Sequence, residues 1–335
     1  MLEQRQVDSA LECARGYVAS GHLPMVAVSA SDGRGLRARV GYDQDGSERD
    51  EFCDGVYALA SISKAITGVL VARLYEQGVL DYNTPIVDYI PEFGTNEARR
   101  GIKLGQIFTH STGLQSRFVD SCHEVEYDPA RLLALLCTEE LVDEPGTHSR
   151  YSTHTYQLIN AAIQRRLGLS MEAALQQVVC EPCGMTGTSF YPDPARAMPV
   201  VDHPVAEGPQ FTAIQRMEMS GGGLWSTLDD LQALGRAWLT PGRLVQPETF
   251  ALVTALQPGL PLAGDEKTLS RRTLGFNRER PASFPLQPES GFCHGGATGT
   301  LWYMDPDQDL VFVLLTNRWS SGNDHAFAAL NCLYE

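Results

Sequence analysis

Hydrophobic residues near the N-terminus recur at helical spacing: Leu2, Val7, Leu11, Ala14 and Val18 fall on one face of an amphipathic helix. Two short apolar segments follow, Met25 to Ala30 and Leu36 to Val40, separated by Ser31-Asp32-Gly33-Arg34-Gly35. They predict two strands of a hairpin with a glycine-rich turn. The other end has the same texture. Thr300 to Met304 and Leu310 to Leu315 flank the turn cluster Asp305-Pro306-Asp307-Gln308-Asp309, and a last helix is predicted from about Asp324 to Leu333. The stretch between is mostly helical, punctuated by Gly and Pro. Its clearest helix runs from Ser61 to Gln77, with Ile66, Val69, Leu70 and Leu74 on one side and Gly78 as a natural C-cap. Strands at both ends with helices between predict a mixed α/β (α+β) chain. Residues 1–55 and 285–335 would share one antiparallel sheet, and 56–284 would form an inserted, mainly helical lobe, with a site between the two.

A chain of 335 residues suggests two domains of about 150 residues each, or one with a large insertion. Its 43% hydrophobic and 20% charged residues support a sizeable core and argue against a disordered chain. Lys and Arg total 26 against 41 Asp and Glu, a formal charge of −15. Such a surface repels phosphate, which argues against nucleic acid and anionic membranes as partners. Apolar runs such as Leu310 to Leu315 fall far short of the ~18 residues of a membrane span. Glu3, Arg5, Asp8, Glu12 and Arg15 interrupt the N-terminus too often for a secretory signal, so a cytoplasmic location is expected. The eight cysteines, at 13, 53, 122, 137, 180, 183, 293 and 332, form no compact disulfide framework.

The most informative stretch for chemistry is Val56-Tyr57-Ala58-Leu59-Ala60-Ser61-Ile62-Ser63-Lys64. Ser61 and Lys64 are three apart at the start of a predicted helix, which puts both side chains on one face. Serine is a weak nucleophile until its proton is removed. Lysine can remove it only when neutral, and both burial and the positive end of a helix dipole favour the neutral amine. A serine N-cap beside a solvated lysine is the ordinary alternative. Here an apolar segment precedes the pair and a buried helix follows it. Tyr151-Ser152-Thr153 precedes the apolar helix Tyr156 to Ile163, where a tyrosine could shuttle a proton or simply pack its ring. His294-Gly295-Gly296-Ala297-Thr298-Gly299 adjoins a strand. Two glycines there suggest close approach of a ligand to backbone, or a glycine-rich turn.

The order Ser61-x-x-Lys64, Tyr151-Ser152-Thr153, His294-Gly295-Gly296 resembles the serine β-lactamase and penicillin-recognising hydrolase superfamily. The branch it resembles holds class C β-lactamases, D-alanyl-D-alanine peptidases and family VIII carboxylesterases. Three further stretches fit: Ile102 to Leu114, Glu181-Pro182-Cys183-Gly184-Met185, and Gly221 to Leu231. The resemblance implies a β-lactamase/transpeptidase-like fold, an antiparallel sheet flanked by terminal helices with a helical lobe beside it. It also implies Ser61 as the acylated nucleophile, Lys64 as its base partner and Tyr151 as the proton relay. The backbone N–H groups of Ser61 and Ala297 would form an oxyanion hole, and Thr153, His294, Gly295 and Gly296 would line the substrate site.

Two departures from the family pattern bear on substrate. Thr153 stands where class C β-lactamases carry the asparagine of Tyr-x-Asn, so a carboxamide gives way to a shorter hydroxyl. His294-Gly295-Gly296 stands where Lys-Thr-Gly is usual, so a permanent cation gives way to an imidazole that is mostly neutral at pH 7. Both weaken recognition of β-lactams and peptide C-termini. The expectation is a serine hydrolase acting on small carboxylic esters. The alternatives are a β-lactamase, a D-amino-acid peptidase or amidase, an acyltransferase, or an inert binding protein of the same fold. No cofactor is expected. Cys180 and Cys183 have the spacing of half a zinc site but lack a second pair, and there is no His-Glu-x-x-His, phosphate loop or Gly-x-Ser-x-Gly elbow. Cys293 reads as a packing residue beside the site, and Ser321-Gly322-Asn323 is set aside because it follows the His-Gly-Gly motif in the chain.

Overall fold

The computed structural model describes residues 1–203 and 215–335. Five strands make one antiparallel sheet: β1 (Val26–Asp32), β2 (Gly35–Tyr42), β3 (Phe292–Gly295), β4 (Leu301–Asp305) and β5 (Leu310–Leu315), in the order β2-β1-β5-β4-β3. The two ends of the chain meet at its centre, where Ala27 of β1 faces Leu315 of β5. The first hairpin is longer than its sequence suggests. Ser31 and Asp32 belong to β1, because the Asp32 carboxylate is tied down by the Leu2 and Arg34 amides at 2.9 and 2.8 Å.

Strands β4 and β5 are apolar runs rather than alternating ones, and β1 is buried throughout with Ser29 and Ser31 bonded to Gln232, because both faces of the sheet are covered. Val26, Val28, Leu301, Tyr303, Phe312 and Leu314 pack under the terminal helices α1 (Gln4–Ala19) and α5 (Asp324–Cys332). Ala27, Trp302, Met304, Val311, Val313 and Leu315 face the opposite way, into a core shared with the helices. At the centre of that core is α2 (Ile62–Glu76), which is buried nearly all round, unlike the one-sided helix its apolar spacing suggests. Helix α3 (Gln157–Leu167) follows the tyrosine segment, and α4 (Leu228–Leu239) lies across the sheet. The Gln232 side chain of α4 bonds Ser29, Ser31 and the Val311 carbonyl. No helix among the described residues is long and apolar enough to cross a membrane.

Candidate active site

A short ribbon carries the chain into α2. Tyr57 and Ala58 pair with Ser226 and Trp225, and on the other side Thr298 Oγ1 donates to the Ala58 carbonyl at 2.7 Å. Ala60 then takes a left-handed φ of +46°, a costly conformation for a residue with a Cβ. The Ser63 hydroxyl holds it by donating to the Ala60 carbonyl at 2.6 Å while accepting from the Leu224 amide at 3.0 Å. The turn delivers Ser61 to the N-cap of α2, yet its side chain makes no capping hydrogen bond. The hydroxyl is therefore available to the cleft.

Lys64 lies one turn along and is fully buried. Its Nζ donates to Gly221 O at 2.5 Å, Thr153 Oγ1 at 3.0 Å and Ser61 Oγ at 3.2 Å. A carbonyl can only accept, so Gly221 fixes one N–H. A neutral amine still has a lone pair for the serine proton. Burial pushes the Lys64 amine below its ordinary value, opposed in part by negative charge on Tyr151. Tyr151 Oη bonds Ser61 Oγ at 2.7 Å. Its ring lies 4.7 Å beneath Lys64 Nζ and 4.4 Å from the His110 ring. Burial alone would raise the phenol, but Lys64, the hydrogen bond with Ser61 and Arg272 together bring it below its ordinary value.

The third predicted segment arrives on the sheet edge. In β3, alternation turns Cys293 toward the terminal helices and His294 toward α2, in register with Trp302. Burial raises the Cys293 thiol, as a packing residue requires and a nucleophile does not. His294 is buried, and burial together with the Lys64 charge lowers its imidazole to about 3, so it stays neutral. Its Nδ1–H donates to Gly295 O at 2.8 Å, leaving Nε2 as a bare acceptor. Gly296 presses against the ribbon so tightly that a Cβ there would lie 2.3 Å from the Leu59 carbonyl oxygen. Ala297, the next residue, lines the same cavity as Ser61. Among the described residues, neither the Ser61 nor the Ala297 amide donates to a protein acceptor.

The structure thus gathers Ser61, Lys64, Tyr151, Thr153, His294, Gly295, Gly296 and Ala297 around one cleft. Thr153 turns its hydroxyl inward to Lys64. The cavity in front of Ser61, about 310 Å³, is also lined by Arg272, Asn277, Glu279 and Asn323. Sequence analysis missed these. Asn323, set aside by its late place in the chain, donates to the Gly296 and Thr300 carbonyls at 3.2 and 2.9 Å and so braces the glycine turn. Arg272 carried no motif signal. Cys180 and Cys183 are buried free thiols, and among the described residues no group of His, Cys, Asp or Glu is arranged to hold a metal.

Comparisons with known proteins show the family and the fold. The family profile described as Beta-lactamase matches residues 11–332. Esterase EstB of Burkholderia gladioli is 25% identical over 312 residues, 80% of this chain and 79% of that one. Two solved structures share the fold. A penicillin-binding protein homologue from Caulobacter crescentus superposes with a TM-score of 0.83 at 18% identity, covering 98% of this chain and 97% of that one. A family VIII carboxylesterase gives 0.78 at 16% identity, covering 98% and 97%. With the matched profile spanning nearly the whole sequence, the chain belongs to the beta-lactamase family, a family of serine hydrolases that includes esterases, penicillin-binding proteins and amidases.

Proposed function

We propose that this protein hydrolyses small carboxylic esters through an acyl-enzyme on Ser61. The observation that carries the reading is the convergence of Tyr151 Oη, at 2.7 Å, and Lys64 Nζ, at 3.2 Å, on a serine oxygen with no capping partner. The Lys64–Tyr151 pair takes the serine proton as Oγ attacks the ester carbonyl. The amides of Ser61 and Ala297 receive the developing oxyanion. When the C–O bond breaks, the alcohol leaves with the proton returned through Tyr151. Water, deprotonated by the same pair, then releases the acid and restores the serine. Esters are favoured because the family's motif lysine is replaced by a neutral, buried His294, and because Thr153 spends its hydroxyl on Lys64. The likeness to Esterase EstB supports the same choice.

The test is a fluorophosphonate probe followed by a substrate screen on pure protein. Ser61 should be labelled, and Ser61→Ala should lose the label and at least about 10⁴-fold of ester turnover while staying folded. Short p-nitrophenyl esters should be hydrolysed much faster than nitrocefin or D-amino-acid amides at pH 7 to 8. A folded protein that never labels is instead a binding protein of this fold. A kcat/KM for nitrocefin equal to or above that for p-nitrophenyl butyrate sinks the ester reading.

A further inference from the structure

The residues 271–279 form a hairpin that no sequence motif marks. Asn277 exchanges both backbone hydrogen bonds with Cys293, at 2.7 and 2.9 Å, so the hairpin extends the sheet edge next to His294. Its turn is pinned to α2 by a contact of two glycines. A Cβ on Gly68 would lie 2.8 Å from the Gly275 Cα, and Gly275 itself has a φ of +136°. Thr273 closes the loop, accepting from the Phe276 amide at 2.9 Å. The hairpin is therefore fixed to the helix that carries Ser61 and Lys64, and it projects Arg272 toward Tyr151.

The guanidinium carbon of Arg272 lies 5.4 Å from the centre of the Tyr151 ring. The Arg272 side chain is only 12% exposed. One arm donates to the Asn277 side chain, and another pairs with Glu279 at 3.0 Å. The Nε is buried and has no hydrogen-bond partner among the described residues. An arginine held this firmly over an aromatic ring, with one donor unspent, is placed for electrostatics. In this sequence the third motif supplies no cation, because its first residue is His294. We propose that Arg272 is a positioning residue that stabilises negative charge on Tyr151, taking the electrostatic place of the absent motif lysine from a different part of the fold. This rests on the reading of Tyr151 and Lys64 as the proton-accepting pair for Ser61.

The other groups around Tyr151 leave this task to Arg272 and Lys64. His110, on the loop 109–114, accepts from the Ser152 amide at 3.2 Å, and burial holds it well below its usual range, so it stays neutral. His294 of β3 is neutral for the same reason. Tyr156 packs at the start of α3, and burial keeps its phenol protonated. The neighbouring Arg150 is spent on a two-pronged pair with Asp143, at 2.7 and 3.1 Å. Glu279, with 55% of its side chain exposed, is the one carboxylate on this cavity wall among the described residues, and it partly offsets Arg272.

The experiment is the pH dependence of Ser61 acylation, read with the fluorophosphonate probe and with neutral p-nitrophenyl butyrate. Losing a cation makes Tyr151 and Lys64 harder to deprotonate as a pair. Arg272→Met should therefore move the acid limb of the profile to higher pH by about one pH unit, the low end for one charge at this range because Glu279 offsets part of it. The rate at the alkaline plateau should return to within a few-fold of wild type. Arg272→Lys should restore the wild-type midpoint. Glu279→Gln, at a more exposed position, should move the limb the opposite way and keeps the idea testable if Arg272→Met does not fold. A uniform loss at every pH with an unmoved midpoint overturns the proposal. So does a loss confined to a carboxylate-bearing ester such as p-nitrophenyl hemisuccinate, which would make Arg272 a substrate anchor. A wild-type protein that never labels removes the Ser61 reading and this one with it.

Discussion

Gly296→Ala adds one methyl group and tests how the proposed oxyanion site is assembled. The new Cβ would lie 2.3 Å from the Leu59 carbonyl oxygen and 2.2 Å from Thr300 Oγ1, about 1 Å short of the 3.4 Å where ordinary contact begins. Leu59 is two residues before Ser61, and Gly296 is one before Ala297. The methyl therefore wedges apart the two backbone segments that lead to Ser61 and Ala297, whose amides are the proposed oxyanion donors. Over-packing of this kind costs about 1–3 kcal/mol of stability. A displacement of about 1 Å at reacting groups, or the loss of one oxyanion donor, costs on the order of 10² in rate. The expected result is a melting temperature lower by a few degrees and a kcat for p-nitrophenyl butyrate lower by about 10²-fold. Gly295→Ala is the control. Its Cβ would meet Asn323 Oδ1 at 2.5 Å, a side-chain atom rather than the Leu59 backbone, so it strains the hydrogen bonds by which Asn323 braces the turn without wedging the Ser61 segment away, and the loss should stay below about tenfold. Initial rates, fluorophosphonate labelling and thermal melts on the three proteins decide the matter. A Gly296→Ala enzyme with wild-type kcat, or one that loses stability but no activity, refutes the argument.

Lys64→Arg should not rescue activity, because a guanidinium holds its proton near neutral pH. Esterase rates within tenfold of wild type would remove Lys64 from the proton path. Tyr151→Phe keeps the ring that packs on His110 and deletes the bond to Ser61, so kcat should fall by at least about 10²-fold with little change in melting temperature. A change confined to KM would assign Tyr151 to substrate binding. His294 has a pH signature in stability. Its folded value of about 3 is below the unfolded value near 6.5. The unfolded chain therefore binds the extra proton between these values, and stability falls as pH drops through this window, with no effect above it. His294→Gln should flatten the acid side of the stability curve by one proton, about 1.4 kcal/mol per pH unit near pH 5. Denaturant melts from pH 4 to 8 showing an unchanged slope would refute the buried neutral state.

The sheet and its terminal helices were legible because local patterns carry them. Spacing placed the helix face of Val7, Ala14 and Val18, and short apolar segments bounded by turn residues marked the strands. The Ser61, Tyr151 and His294 segments were legible because each holds its residues within a few positions. Arg272, Asn277 and Asn323 were not. Each reaches the cavity through contacts between distant segments, such as Gly68 on Gly275 and Asn323 on Gly296, and no local spacing encodes them. The one-sided face read into the Ser61 helix erred for a related reason. Sequence shows which residues are apolar, but not that a helix is covered from every side.

The pairing of β1 with β5 also has a consequence for biosynthesis. Ala27 meets Leu315, so nearly the whole chain must emerge from the ribosome before the sheet can close. At about 5–20 residues per second this takes roughly 15–60 s. In that interval the hairpin of β1 and β2 presents one unpaired, largely apolar edge, a template for pairing with another chain. The wall that carries His294 and Ala297 cannot join Ser61 until the last strands are made. A nascent chain therefore presents this edge before it can be active, and holding chaperones that cover it should raise the yield.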